Sequence, residues 1–350
     1  MLHTSDFDFG LPSELIAQHP LAQRDASRML VVDKSGFADK HIHDFLDYLQ
    51  PGDVVVFNNS RVIPARFNTT DKSGNVHEIT LHTATNDNHI WWGLCKKFNK
   101  FSIGDVLTMD EGTEIEILET DDESGLKIKF HCDDVFDVLD RVGKMPLPPY
   151  MKREEELSDR ERYQTVYAEP VGSMAAPTAG LHFTDELMAE IEKRGARIVK
   201  VTLHVGAGTW MPVKTEDLSQ HKMHSEWCKI TAAQAEIINN AKRVIAVGTT
   251  SLRALESAAI DNRELIPGKQ HKRISPICRR TDIFIKPGYK FGAVDVLLTN
   301  FHLPKSTLFM LVSAFCGLAE MKSAYAHAVA EKYRFFSYGD CCLLFKKEEE

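Results

Sequence analysis

The sequence predicts an α/β fold, with a mixed-sheet α/β main domain and a small inserted β-barrel domain. Three observations carry this. Apolar, β-branched runs lead through polar loops into helices, as where Val244-Ile245-Ala246-Val247 meets Gly248-Thr249-Thr250-Ser251 and Val294-Asp295-Val296-Leu297-Leu298-Thr299 meets Asn300-Phe301-His302. Between residues 67 and 150, by contrast, five short strand-like runs follow one another without a long helix, the pattern of a small barrel. Finally, Met145-Pro146-Leu147-Pro148-Pro149-Tyr150 is too rich in proline for a helix and marks the return linker. The predicted division is residues 1–66 and 151–350 for a discontinuous α/β domain and residues 67–150 for the barrel.

In chain order, residues 11–17 read as a short helix, 29–32 as a strand and 41–49 as helical up to Pro51-Gly52. Residues 53–57 form a strand that opens into Asn58-Asn59-Ser60-Arg61-Val62-Ile63-Pro64-Ala65-Arg66. The barrel runs are residues 76–85, 89–94, 105–109, 113–118 and 125–131, with mostly acidic or neutral faces. Residues 152–162 are densely charged with both signs, which a solvated helix or loop explains. Thr184 caps a helix over residues 185–194 that Gly195 ends. Residues 198–205 are a strand containing His204, and its exit loop Gly206-Ala207-Gly208-Thr209-Trp210 lacks the third glycine of a dinucleotide fingerprint. Thr231 caps a helix over residues 232–241. Ser306 or Thr307 caps one that is apolar on nearly every side and therefore buried. Residues 325–332 close the last helix, residues 333–340 read as an aromatic strand, and the Lys346-Lys347-Glu348-Glu349-Glu350 end as frayed.

With 350 residues the chain can bury a substantial core without disulfides, and its seven cysteines form no C-x-x-C pair. A reducing compartment fits. The acidic start MLHTSDFDFG is unlike a signal peptide, and the longest apolar run, residues 308–319, falls short of the roughly 20 residues a bilayer span needs. These features predict a cytoplasmic protein with no membrane partner. The net charge of −8 is segregated: residues 110–123 are acidic without a positive charge, whereas Lys269, Lys272, Arg273, Arg279, Arg280, Lys286 and Lys290 face a single acid, Asp282. A basic segment beside a candidate site suits an anionic substrate, although a solvated basic loop explains the charge as well.

Ligands of open α/β sheets bind where loops leave the carboxyl ends of strands, so polar residues there are the candidates. After one strand come Asn300, His302, Lys305 and Ser306. After another, Gly248, Thr249, Thr250 and Ser251 lead into a helix N-terminus suited to a carboxylate or phosphate, with Arg253 beyond; the lysine of a P-loop is missing. Asn58, Arg61 and Arg66 sit in a third loop, and Arg28 with Arg24 is placed to clamp an anion unless Asp25 neutralises them. The small-residue stretch holding Thr178, Gly180 and His182 lets backbone approach a ligand. Each has a plainer reading as a cap, an ion pair or a turn satisfying its own backbone. His221, His224 and Cys228 do not match a standard zinc spacing, so no metal is expected.

The stretches SRMLVVD, GDVVVFNNSRVIPAR, VGSMAAPTAGLHFT, MHSEW, VIAVGTTSLRALES, TDIFIKPGYKF and LLTNFHLPKSTLFMLVSAF, together with YRFFSYGD, closely resemble the S-adenosylmethionine:tRNA ribosyltransferase-isomerases of queuosine biosynthesis. Asn59, Trp210 and Cys341-Cys342 depart from the family pattern, and the barrel region resembles it weakly. The resemblance implies an α/β domain interrupted by a barrel; a monomer is the default expectation. It implies transfer of the ribosyl part of S-adenosylmethionine to 7-aminomethyl-7-deazaguanine at the wobble position of tRNA. An epoxycyclopentane forms, and adenine and methionine leave. S-adenosylmethionine is then consumed as a donor, with no other cofactor. The sulfonium acidifies the ribose C5′ protons, which calls for a base such as His182, His204, His224 or His302. Protonation of adenine points to Asp282 or Glu226. The methionine carboxylate suits the helix start at Thr249-Thr250-Ser251, with Arg253 as a second possibility, and Gly206 and Gly208 count among the substrate-binding residues. A non-catalytic RNA-binding module would not need several polar loops at strand ends. A methyltransferase would need a glycine-rich first turn that is absent.

Overall fold

The computed structural model describes residues 2–85, 87–122, 124–206, 213–259 and 273–347. Its main sheet has nine strands in the order Ile277–Thr281, Glu226–Ile230, Arg197–Leu203, Val54–Asn58, Val244–Val247, Val296–Asn300, Cys341–Phe345, Arg28–Asp33 and Gly36–His41. The third to sixth of these run parallel, and their carboxyl ends open on one edge. The flanking pairs are antiparallel except Cys341–Phe345 with Arg28–Asp33, so the sheet is mixed as predicted.

Side chains alternate across each strand with period two, and both faces are covered. Val54, Val56, Val244 and Ala246 enter one core under the helices Ala232–Asn239, Thr249–Ala259, Thr307–Cys316 and Leu318–Ala330. Val55, Phe57, Ile245 and Val247 enter the other, with Leu187 and Ile191 of the helix Asp185–Lys193 and with Ile42 and Phe45 of the 3₁₀ segment Ile42–Tyr48. Each such side chain contributes about 1.5–3 kcal/mol by burial, which sets the register and hence the position of every loop at the carboxyl edge.

The caps read from sequence are present: Thr184 accepts from the Leu187 N–H, Thr231 forms a full capping box with Gln234, and Ser306 accepts from the Phe309 N–H. Other expectations are corrected. Residues 11–17 form only the 3₁₀ turn Ser13–Leu15. The last helix spans Leu318–Ala330, ending two residues before the expected close, and Gly317 at φ 98° separates it from its predecessor at a bend of 114°. Residues 333–340 are a turn, closed by the Asp340 carboxylate accepting from the Arg28 and Arg334 N–H groups, and the strand follows at Cys341–Phe345. Tyr333, Phe335 and Tyr338 from that turn are buried, so aromatic β-propensity reflects packing here rather than pairing. Among the described residues no single helix is long and apolar enough to cross a membrane.

The barrel is closed by six antiparallel strands, one more than predicted: Arg66–Thr70, Val76–Ala84, Ile90–Cys95, Val106–Met109, Glu114–Asp121 and Gly125–His131. The extra strand was hidden because its sequence, RFNTT, has a single bulky apolar residue, Phe67. Closure removes exposed edges, and Ile79, Leu81, Trp91, Ile115, Ile128 and Phe130 fill the interior with Val135, Val138 and Leu139 of the helix Val135–Val142.

The charged segment 152–162 is not merely solvated. Asp159 is fully buried and accepts from both guanidinium ends of Arg153 (2.6 and 2.8 Å), from the Glu156 N–H (2.8 Å) and from the Tyr338 hydroxyl (2.8 Å), tying the return linker to the aromatic turn. Removing one member of a buried pair leaves the other uncompensated. Asp159→Ala is therefore expected to cost about 3 kcal/mol in urea unfolding, whereas Glu154→Ala, at a largely exposed side chain, changes stability by less than about 0.5 kcal/mol.

Candidate functional site

The four parallel strands end side by side, and each delivers a loop to the same edge. Val244–Val247 leads into Gly248, whose φ of 88° turns the chain directly into the helix Thr249–Ala259. Val296–Asn300 leads into His302, and Arg197–Leu203 into His204. Val54–Asn58 leads into Ser60. The Asn58 amide donates to the Leu203 carbonyl (2.9 Å), and its oxygen accepts from the Leu203 N–H (3.0 Å) and the Ser60 N–H (3.2 Å). Asn58 thus braces two strand ends from a fully buried position.

One cleft is lined by Thr178, Gly248, Thr249, Thr250, Asn300, His302 and Ser306, with Tyr150, Tyr163, Thr299, Phe336 and Ser337 opposite. Near it, one residue beyond the cleft-lining Val205, Gly206 meets a buried ion pair. There Glu226, 4% exposed, pairs with Arg253, also 4% exposed, and accepts from the Gly206 N–H (3.0 Å). Among the described residues, Arg253 Nε and Nη2 are buried without a hydrogen-bond partner, as is the Thr250 hydroxyl. Buried donors of this kind cost free energy unless something accepts from them.

Three of the histidines are neutral. His204 Nδ1 bonds the Ser60 hydroxyl (2.6 Å), its ring stacks on Trp227 at 5.0 Å, and burial lowers its pKa to about 4. His302 Nε2 bonds Thr299 (3.0 Å), and burial lowers it to about 3. His182 Nδ1 bonds Ser27 (2.9 Å); burial lowers it to about 4, while the neighbouring Asn300 amide favours protonation without an aligned hydrogen bond. His182 is 3% exposed and lies behind the cleft. His224 is exposed.

Other sequence candidates lie elsewhere or are already engaged. Lys305 is exposed and pairs with Asp8 (2.8 Å). Arg28 stacks over Tyr333 at 3.7 Å and donates to the Glu331 carbonyl (2.8 Å). Arg66 roots the barrel with Glu78 and Glu154, and Arg61 is exposed on a two-stranded ribbon. Ser251 donates to the carbonyl of Val247, the last residue of the strand before its helix. Gly180 is required because a Cβ there would meet the Tyr167 hydroxyl, a packing reason rather than a ligand one. Asp282 is exposed beyond an edge strand, and Glu226 is paired with Arg253. Gly208, Trp210, Lys269, Lys272 and the final three glutamates lie outside the described residues. Among those described, no group of three His, Cys, Asp or Glu is placed to hold a metal ion. Sequence reasoning missed Ser27, Ser60, Trp227, Thr299 and Ser337, which orient the imidazoles or line the cleft; only Ser60, in a polar loop at a strand end, carried a local signal.

Comparison with known proteins places this geometry. The queuosine biosynthesis protein family matches residues 4–344. A Rickettsia bellii protein named S-adenosylmethionine:tRNA ribosyltransferase-isomerase is 48% identical, the match covering 98% of this chain and 99% of that one. A Desulforamulus reducens protein of the same name is 47% identical over 98% of this chain and all of its own. The crystal structure of S-adenosylmethionine tRNA ribosyltransferase from Thermotoga maritima is 32% identical, covers 97% of this chain and 100% of its own, and superposes with a TM-score of 0.54.

Because His182 and His302 bind protons more weakly folded than unfolded, acid favours the unfolded chain. Stability is expected to be flat above pH 7 and to fall as pH drops from about 6.5 toward 4, each ring costing about 3 kcal/mol by the end. Urea midpoints across this range check it, and in His302→Gln the acid slope should shrink.

Proposed function

The chain belongs to the queuosine biosynthesis protein family, and on that premise we propose that it transfers and isomerises the ribosyl part of S-adenosylmethionine onto 7-aminomethyl-7-deazaguanine at the tRNA wobble position. The observation that carries this reading is the pair of unpartnered, buried guanidinium donors of Arg253, one turn into the helix that starts at Thr249. A carboxylate such as that of the methionine moiety satisfies them together with the Thr250 hydroxyl, and the helix N-terminus adds its dipole.

His204 is the base that fits best. Its Nδ1 is fixed by Ser60 and its ring by Trp227, which leaves Nε2 to take the C5′ proton that the sulfonium acidifies, and burial keeps the lone pair available at neutral pH. After that proton moves, the ribosyl carbon bonds to the aminomethyl nitrogen, the ring closes to an epoxycyclopentane, and adenine and methionine depart to leave epoxyqueuosine in the tRNA. His302 and Asn300 line the cleft that receives the deazaguanine, which must be unstacked from the anticodon loop to reach it. Arg279 and Arg280 lie on the edge strand Ile277–Thr281 and place positive charge where RNA phosphates approach. S-adenosylmethionine is consumed, and no other cofactor belongs to the proposal. Seven free cysteines support a reducing cytoplasm, where the protein works as a monomer.

Adenine release from S-adenosylmethionine is expected with tRNA carrying 7-aminomethyl-7-deazaguanine and not with the same tRNA carrying guanine; release from neither would sink the reading. His204→Gln should lower kcat by about 10²–10⁴ with KM for S-adenosylmethionine little changed. Arg253→Lys should instead raise that KM about tenfold, as loss of a charge-assisted bond of roughly 1.5–3 kcal/mol implies.

A further inference from the structure

The barrel carries a concavity of its own, about 620 Å³, between the turn at residues 71–76 and the segment 95–101. Four lysines line it: Lys72 from the turn, and Lys96, Lys97 and Lys100 from the segment. Lys97, in left-handed backbone at φ 59°, caps the 3₁₀ turn Phe98–Lys100 and folds these side chains toward one place. None of the four has a carboxylate partner among the described residues.

The acids at the same concavity are engaged locally. Asp71 accepts from His77 Nε2 (2.9 Å) and from the Ser73 and Asn75 N–H groups, which hold its carboxyl well below the usual range. Asp105 accepts from the Ser102 N–H (2.8 Å), and Glu78 faces Arg66 at 3.9 Å. His77 packs edge-on against Phe101, with centroids 4.8 Å apart.

This arrangement stands out against the rest of the domain. Residues 67–150 hold 16 acidic and eight basic side chains, and half of the basic ones meet here. The strand Glu114–Asp121 presents Glu114, Glu116 and Glu119 instead. A polyanion approaching the barrel is repelled by that strand and steered to the lysines. The strand Val76–Ala84 links the concavity to the α/β domain, where the Ala84 carbonyl accepts from Arg280 Nη2 (2.7 Å). At about 3.4 Å per residue its eight steps span roughly 27 Å. The lysines are exposed and spread out, which suits a run of phosphates better than one small anion.

We propose that Lys72, Lys96, Lys97 and Lys100 hold the phosphate backbone of the tRNA while its wobble base occupies the cleft. This rests on the reading of tRNA as substrate. It is tested by titrating an unmodified tRNA transcript against full-length protein between 50 and 200 mM salt, a range over which phosphate contacts dominate the slope. The variant Lys96→Glu/Lys97→Glu/Lys100→Glu should bind at least about tenfold more weakly, with a salt slope smaller by about two to three. Lys129→Glu, elsewhere on the barrel, should match wild type, and S-adenosylmethionine binding should be unchanged in both. Unchanged affinity and slope in the triple variant, with adenine release retained, would overturn the lysine assignment and leave ribosyl transfer standing. A wild-type protein that binds no tRNA would overturn both.

Discussion

Parallel pairing of Val54–Asn58 with Arg197–Leu203 on one side and Val244–Val247 on the other is the constraint on which the site depends. Because both faces of these strands are buried, a one-residue slip would exchange two cores at once, so the register is strongly held. Their carboxyl ends therefore meet in one place, and Asn58 locks two of them by spanning to Leu203. Ser60, His204, Gly248 and Asn300 owe their shared edge to that register, and Ser60 and His204 add a hydrogen bond of their own.

Burial then sets the electrostatics. Taking an imidazole out of water disfavours its charged form, and His182, His204 and His302 are all pushed toward neutrality. What separates them is the second nitrogen. His302 spends Nε2 on Thr299, and His182, whose Nε2 is also without a hydrogen bond, is nearly sealed from solvent, whereas His204 is only half-buried and among the described residues engages Nδ1 alone, with Ser60. The same burial makes Arg253 informative: with one end paired to Glu226, its remaining donors are stable only when an acceptor arrives.

The barrel solves a different problem. Closure lets a short, acidic stretch of chain fold without exposed strand edges, and it extends the protein away from the cleft along one long strand. Its lysine concavity and the Arg280 contact lie near opposite ends of that strand, which gives the domain both a grip and a fixed relation to the site.

The sequence by itself determined the α/β pattern, the insertion of a barrel and the helix caps, because these follow from local periodicity and local hydrogen bonding. Thr184, Thr231 and Ser306 cap as their neighbours dictate. The motifs likewise named the loops at the strand ends. Tertiary structure alone decided which of their residues face a ligand. Asn58 and Ser251 look like binding residues in a linear reading, yet spend their polar groups on backbone, while Ser60 and Trp227 gain their roles only by meeting His204 across the sheet. Asp159 was misjudged for the same reason: its burial and its partner Tyr338 come from elsewhere in the chain, and no local pattern encodes them.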